Sequence, residues 1–170
     1  VVPVVLVLAL SLRVSGQSPF FSQDRVGLGG RTFKLWKLRT MVPDAEERLK
    51  AYLQSDEAAR QEWEAYQKLS RDPRITEFGQ FLRKSSLDEL PQLWNVFRGD
   101  MSLVGPRPER PHYVDEFTQR YPTYSFRHRV PSGLTGFAQV NGLRGDTSIL
   151  DRARFDNAYI EGWSLWLDVK

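Results

Sequence analysis

"SSLDELPQLWNV", residues 85–96, sets two carboxylates side by side, Asp88 and Glu89, just ahead of Pro91 and inside an otherwise apolar run. Ser86 followed three residues later by Glu89 matches a capping box, in which two side chains satisfy orphan N–H groups at a helix start. Leu87, Leu90, Trp94 and Phe97 then recur at helical spacing, which predicts a helix of roughly three turns beginning here and stopping near Gly99. A cap accounts for Glu89. It leaves Asp88 unexplained, along with the cations Arg83 and Lys84 immediately upstream, so a structural and a chemical reading of the acidic pair both stand at this point.

Downstream, "RGDMSLVGPRPERP" (98–111) flanks Arg107 with Pro106 and Pro108, which hold its backbone extended, and precedes them with Gly105, which permits close approach to a ligand. A rigid loop presenting one guanidinium suits oxyanion recognition; a proline-rich turn between two elements is the alternative. Upstream, residues 18–41 read as two short strands around the turn "LGG", a hairpin. Gly27, Gly29 and Gly30 resemble a dinucleotide loop, but Thr32 stands where G-x-G-x-x-G needs its third glycine, and no G-x-x-x-x-G-K-[ST] occurs. In the second strand Lys37 and Arg39 share a face by period two, on a solvated edge or against phosphate.

Residues 43–70 are charged and helical in pattern. Leu49, Leu53, Trp63, Tyr66 and Leu69 fall at roughly helical intervals and Ser55 and Asp56 offer a second cap, predicting two helices or one kinked helix with an acidic solvated face. "PSGLTGFAQVNGLRG" (131–145) reads as short strands and turns, and a helix is expected from Ser148 into the Tyr159 to Trp166 region.

The 170 residues, 41% of them hydrophobic, suffice for one domain with a real core. Lys and Arg number 24 against 21 acids, a net charge of +3 that favours anionic partners. The absence of cysteine rules out disulfides, thiol chemistry and cysteine metal sites and fits a reducing compartment; His112 and His128 alone cannot make a three-histidine zinc site. The basic balance would also suit a nucleic-acid-binding module, yet no aromatic-basic repeat or zinc-knuckle spacing accompanies it.

The ends carry a different signal. "VVPVVLVLAL" (1–10) is apolar apart from Pro3 and as a helix reaches roughly 15 Å, half of a ~30 Å hydrocarbon core. It reads as a buried core helix or as part of a membrane-embedded segment. Without an initial Met or a basic leader, the chain is expected to begin inside a hydrophobic segment. "YIEGWSLWLDVK" (159–170) is amphipathic, with Trp163 and Trp166 of the kind that settles at a membrane interface or closes a core.

Together, "DRVGLGGRTFKLWKLRTM" (24–41), "DPRITEFGQFLRKSSLDELPQLWNVFRGDMSLVGPRPERP" (72–111), "RHRVPSGLTGFAQVNGLRGDTS" (127–148) and "YIEGWSLWLDVK" resemble, in order, the bacterial sugar transferases, the monotopic polyprenyl-phosphate phosphoglycosyl transferases. The resemblance implies an α/β (α+β) fold, mostly helical with short β-hairpin elements. It implies two segments: residues 1–16 as the remainder of a truncated re-entrant N-terminal membrane helix bent at Pro3, and residues 17–170 as the catalytic domain. It further implies transfer of a hexose 1-phosphate from a UDP-sugar to undecaprenyl phosphate at the cytoplasmic face of a bacterial inner membrane, with release of UMP, to initiate exopolysaccharide, capsule or O-antigen synthesis. Asp88 becomes the nucleophile that carries a covalent phosphosugar. Glu89 holds metal or manages protons, and both acids are candidate Mg²⁺ ligands. Lys37, Arg83 and Arg107, with Pro106 and Pro108 around the last, fall at the phosphate-binding positions. The expected partners are the donor, the lipid acceptor, membrane lipid and a second copy of the chain in a homodimer, without nucleic acid. A catalytically silent membrane scaffold is the rival reading.

The residue chemistry suits that job on its own terms. A diphosphate repels an anionic nucleophile, so catalysis rests on positioning and charge neutralisation. Two carboxylates about 5 Å apart at an effective dielectric of ~20 repel by roughly 3 kcal/mol and resist joint ionisation unless cations compensate.

Overall fold

The computed structural model describes residues 1–14, 16, 18–145 and 147–169. In chain order it gives α1 (Val2–Val14), β1 (Phe20–Val26), β2 (Thr32–Leu38), α2 (Ala45–Ser55), α3 (Glu57–Tyr66), α4 (Glu77–Ser85), α5 (Gln92–Phe97), β3 (Ser102–Val104), α6 (Pro111–Arg120), β4 (Gly133–Thr135), α7 (Phe137–Val140), α8 (Ile149–Glu161) and α9 (Leu165–Val169), with 3-10 turns at Leu28–Gly30, Leu87–Glu89 and Tyr124–Arg129. The expected mixed, mainly helical fold is present. The chain divides into two compact units, Val1–Phe21 with Lys37–Pro91 and Ser22–Trp36 with Gln92–Lys170.

β1 and β2 form the expected hairpin. Gly29 and Gly30 sit at φ 62° and 76°, a left-handed turn that side chains disfavour. Gly27 N–H donates to Arg31 and Arg39 N–H donates to Pro19, closing the ladder at both ends.

In the first unit, Ala9 and Leu12 of α1 meet Leu38 and Leu82 in a small core, with Leu8, Phe78 and Leu87 packed around it. The rest of α1 is not core, since Val2, Val4, Leu6, Val7 and Leu10 stay exposed. Among the described residues no helix is long and apolar enough to cross a membrane. α2 and α3 are two separate helices, and Asp56 caps the second by accepting from Ala59 N–H, as expected. α4 starts at Thr76, whose hydroxyl accepts from Gly79 N–H. That glycine is there for contact: a Cβ on it would lie 2.1 Å from the Thr40 carbonyl oxygen, so α4 rests directly on the backbone leaving β2. Thr76 N–H donating to Thr40 and an antiparallel bridge between Met41 and Ile75 complete the seam.

In the second unit, β3 and β4 pair in parallel with Ser102 opposite Gly133 and Val104 opposite Thr135. A parallel pair between segments 30 residues apart leaves no hairpin signal, and this one was not anticipated. Asn95 is fully buried; its side-chain carbonyl accepts from Trp36 N–H while its amide donates to the Lys34 carbonyl and Asp100, fastening α5 to the middle of β2. α8 begins as expected, with Ser148 accepting from Asp151 N–H, but stops at Glu161, and α9 is a separate turn carrying Trp166.

The opening stretch departs most from expectation. Ser86 makes no capping box: it lies at φ 58°, closes α4 as a left-handed C-cap and precedes the 3-10 turn without a side-chain capping bond. The predicted three-turn helix is a 3-10 turn over Leu87–Glu89 and then the six-residue α5. Its apolar stripe is also misplaced, for Trp94 and Phe97 are exposed and stack on each other at 5.4 Å while Gln92 and Asn95 are buried.

Candidate active site

The left-handed turn at Ser86 decides where the two acids go. A helix continued from α4 would have spread them along its surface; the reversal instead folds the 3-10 turn under the end of α4 and leaves Asp88 only 8% exposed. Left-handed backbone at a residue with a side chain is uncommon and strained, and such strain concentrates at functional sites.

Four of the anticipated residues gather around this turn in the first unit. Lys37, from the end of β2, places Nζ 2.7 Å from Glu89 Oε1, with the two side chains 23% and 18% exposed. Arg83, from the last turn of α4, donates through Nε to Thr40 Oγ1 at 2.8 Å. The α4 seam at Gly79, one turn earlier, sets that distance. Asp88 has no hydrogen bond to another side chain among the described residues. Burial raises its pKa above the ordinary value; Lys37 opposes that, Glu89 adds to it, and Arg83 opposes it again. The neighbouring acids are thus in unlike states, Glu89 tied to a cation and Asp88 enclosed and unpaired.

Arg39, which was read as sharing the face of Lys37, is spent on structure. It donates to the Ser18 and Phe20 carbonyls and lies over the Phe21 ring. Asp72 was not singled out from sequence. It forms a two-point pair with Arg74, which lowers its pKa despite burial, and its charge also acts on Arg83.

Arg107 belongs to the second unit, half-buried between Pro106 and Pro108, both buried. The missing side chain of Gly105 lets the protein's own backbone close in: a Cβ there would lie 2.5 Å from the Pro131 carbonyl, and one on Gly133 would lie 2.2 Å from Gly105 N. Glu109 holds Arg152 at 3.0 Å and Arg25 at 3.7 Å. Beneath the loop, Arg127 and Asp156 form an ion pair at 2.7 Å with side chains 4% and 3% exposed. Sequence reasoning missed Arg25, Glu109, Arg127 and Asp156, because partners 29 to 84 positions apart carry no periodic signature. Thr40 was missed as well, two residues beyond the end of β2.

Among the described residues no group of three or more acidic or histidine side chains could hold a metal. A cation at Asp88 would therefore be of the kind held by one or two carboxylates, with water and substrate oxygens filling the remaining positions.

The whole chain, residues 1–170, matches the family model for bacterial sugar transferases. It is 45% identical to the UDP-galactose-lipid carrier transferase of Erwinia amylovora, over 98% of this chain and 34% of that protein. It is 40% identical to the UDP-glucose:undecaprenyl-phosphate glucose-1-phosphate transferase of Escherichia coli strain K12, over 99% of this chain and 34% of that protein. Against the exopolysaccharide production protein ExoY of Sinorhizobium fredii the identity is 43%, over 96% of this chain and 71% of that protein. The chain thus spans about a third of the length of the first two relatives.

Proposed function

Because the chain belongs to the bacterial sugar transferases, we propose that it is a phosphoglycosyl transferase moving a hexose 1-phosphate from a UDP-sugar to undecaprenyl phosphate, with Asp88 as the attacking group. The observation that carries this reading is the enclosed, unpaired carboxylate of Asp88 beside the Lys37–Glu89 pair and Arg83. The names of the relatives, which mention UDP-glucose, UDP-galactose, a lipid carrier and undecaprenyl phosphate, support the substrate class.

A carboxylate oxygen of Asp88 attacks the phosphorus bonded to the sugar. The new O–P bond forms as the bridging P–O bond breaks, and UMP leaves with the electron pair. An oxygen of undecaprenyl phosphate then attacks the same phosphorus, the aspartyl O–P bond breaks, and the Asp88 carboxylate is restored. Two such displacements let one site serve a water-soluble donor and then a lipid acceptor. Burial makes the carboxylate more basic than a surface aspartate, while Lys37 and Arg83 keep it available as the anion. Arg83 presents its Nη edge for phosphate oxygens while Thr40 holds Nε. Arg107 supplies a further phosphate contact, stiffened by Pro106 and Pro108.

Mg²⁺ fits this chemistry, with Asp88, and Glu89 beside it, as the residues that would hold it. When bound, such an ion neutralises phosphate charge. The exposed apolar side of α1 and the exposed Trp163 and Trp166 support placement on a membrane surface, which we assign to the cytoplasmic face of the inner membrane. Flotation with phospholipid vesicles tests it, and recovery of the chain in the lipid-free fraction counts against it.

The deciding experiment measures UMP release from UDP-glucose and UDP-galactose with undecaprenyl phosphate, with and without EDTA, and traps labelled sugar phosphate on the protein. Wild type should release UMP, lose activity in EDTA and regain it with Mg²⁺. Asp88→Asn should neither turn over nor label; turnover like wild type by that variant overturns the assignment.

A further inference from the structure

The loop carrying Arg107 is held at three successive carbonyls, each by a different part of the second unit. The Pro106 carbonyl accepts from Gly133 N–H at 2.9 Å, the Arg107 carbonyl from Arg127 Nη2 at 2.9 Å, and the Pro108 carbonyl from Arg25 Nη1 at 3.3 Å. The proline rings fix φ on either side of Arg107. With the carbonyls pinned as well, the peptide planes bracketing Arg107 cannot turn, and the direction in which its side chain leaves the backbone is set.

The middle grip is the unusual one. Arg127 is 4% exposed and donates from all three of its nitrogens: Nε and Nη2 donate to Asp156 Oδ2 at 3.0 and 2.7 Å, Nη1 to the Tyr124 hydroxyl at 2.8 Å, and Nη2 again to the Arg107 carbonyl. Asp156 comes from α8 and Tyr124 from the 3-10 turn, so the guanidinium is anchored on two elements before it reaches the loop. Buried ion pairs are weak sources of stability compared with apolar packing of the same volume. A buried arginine with one donor spent on a neighbouring loop's carbonyl does something apolar packing cannot, which is to fix that carbonyl's orientation.

We propose that Arg127, held by Asp156 and Tyr124, is a positioning residue that fixes the direction in which Arg107 leaves its loop, as its role as a phosphate contact requires. This rests on the reading of Arg107 as a phosphate contact. Arg127→Lys keeps a cation opposite Asp156 but replaces the planar three-nitrogen fork with one nitrogen, which cannot take the places of Nε, Nη1 and Nη2 and so cannot hold Asp156, the Tyr124 hydroxyl and the Arg107 carbonyl in the same geometry. Misplacing a phosphate contact by about 1 Å can lower turnover by about a hundredfold.

The test is a cycle in the full chain, with kcat/KM for the UDP-sugar measured for wild type, Arg107→Ala, Arg127→Lys and the double variant. Arg127→Lys should lower kcat/KM at least about tenfold in the parent and less than about twofold on top of Arg107→Ala. Loss of the same factor in both backgrounds overturns the proposal, because a merely structural defect would not know whether Arg107 is present. If Arg107→Ala itself turns over like wild type, the reading of Arg107 as a phosphate contact fails, and the proposal with it. If Arg127→Lys does not fold, Asp156→Asn, which keeps an acceptor for Arg127 while loosening its hold, enters the same cycle with the same expected and overturning results.

Discussion

Replacing Lys37 by Met removes the cation that lies 2.7 Å from Glu89 while keeping most of the apolar stem. The two side chains retain 23% and 18% of their exposure. Their pair therefore lies between an exposed bridge, worth about 0.2–1 kcal/mol, and a buried one, whose loss of one partner costs about 3–5 kcal/mol. A destabilisation of about 2 kcal/mol is expected, which in a chain of this size lowers Tm by about 4–8 °C. Glu89→Gln removes the charge that Lys37→Met strands, so the double variant should recover most of the loss, with a coupling of about 1.5 kcal/mol. Turnover should not recover with it. Lys37 is the strongest influence holding Asp88 in its anionic form, and its charge is missing from both variants. Denaturant or thermal unfolding of the four proteins gives the coupling, and UMP release gives the activity. A coupling below about 0.5 kcal/mol would refute the pairing as a hold on Glu89, and full activity in the double variant would refute the action of Lys37 on Asp88.

Asp88→Asn should melt above wild type at pH 8, because burial raises the Asp88 pKa and the folded protein bears the strain of ionising it above that value. The difference should shrink as the pH falls through the raised pKa, so a constant gap between the two melting curves down to pH 4 would contradict it. Gly79→Ala drives a Cβ to 2.1 Å from the Thr40 carbonyl, with backbone on both sides and no room to yield; unfolding experiments should show a loss of about 1–3 kcal/mol or more, and a neutral result would deny the seam that carries Arg83. His128 has its pKa depressed from 6.5 to about 4 by burial and then by Arg127. The unfolded chain binds that proton first, so stability is complete above about pH 6.5 and declines toward pH 4, by about 1–2 kcal/mol after discounting for partial exposure. His128→Gln should flatten that limb of the Tm against pH curve, and an unchanged limb would count against it.

The sequence made local features legible and concealed distant ones. The hairpin, the break at Asp56 and the cap at Ser148 each rest on two to five neighbouring residues whose backbone preferences do not depend on the rest of the chain. Ser86 shows where that ends. Its side chain is chemically able to cap a helix, yet it closes α4 in the left-handed region with no side-chain capping bond. Trp94 and Phe97 repeat at helical spacing and still face outward, because apolar periodicity marks a face without saying what covers it. Asp88, Glu89, Lys37 and Arg83 could be gathered in advance only through resemblance to a family. Nothing in their spacing says that a strand end and a helix end meet at one turn.

That meeting gives the two adjacent acids different work. Had a regular α-helix begun at Ser86, Asp88 and Glu89 would both have sat solvated in its first turn. The reversal turns Asp88 inward, where burial raises its pKa, and leaves Glu89 within reach of Lys37. Burial at one carboxyl and an ion pair at the other give two adjacent acids different surroundings. Asp88, which burial makes more basic than a surface aspartate, is the member we propose as the nucleophile. The paired member keeps the lysine close, so the cation that Glu89 binds at rest is also the one that lowers the cost of the Asp88 anion. One ion pair thus holds the turn together and readies its neighbour, which is why Lys37→Met should damage stability and turnover together while the Glu89→Gln companion restores only the first.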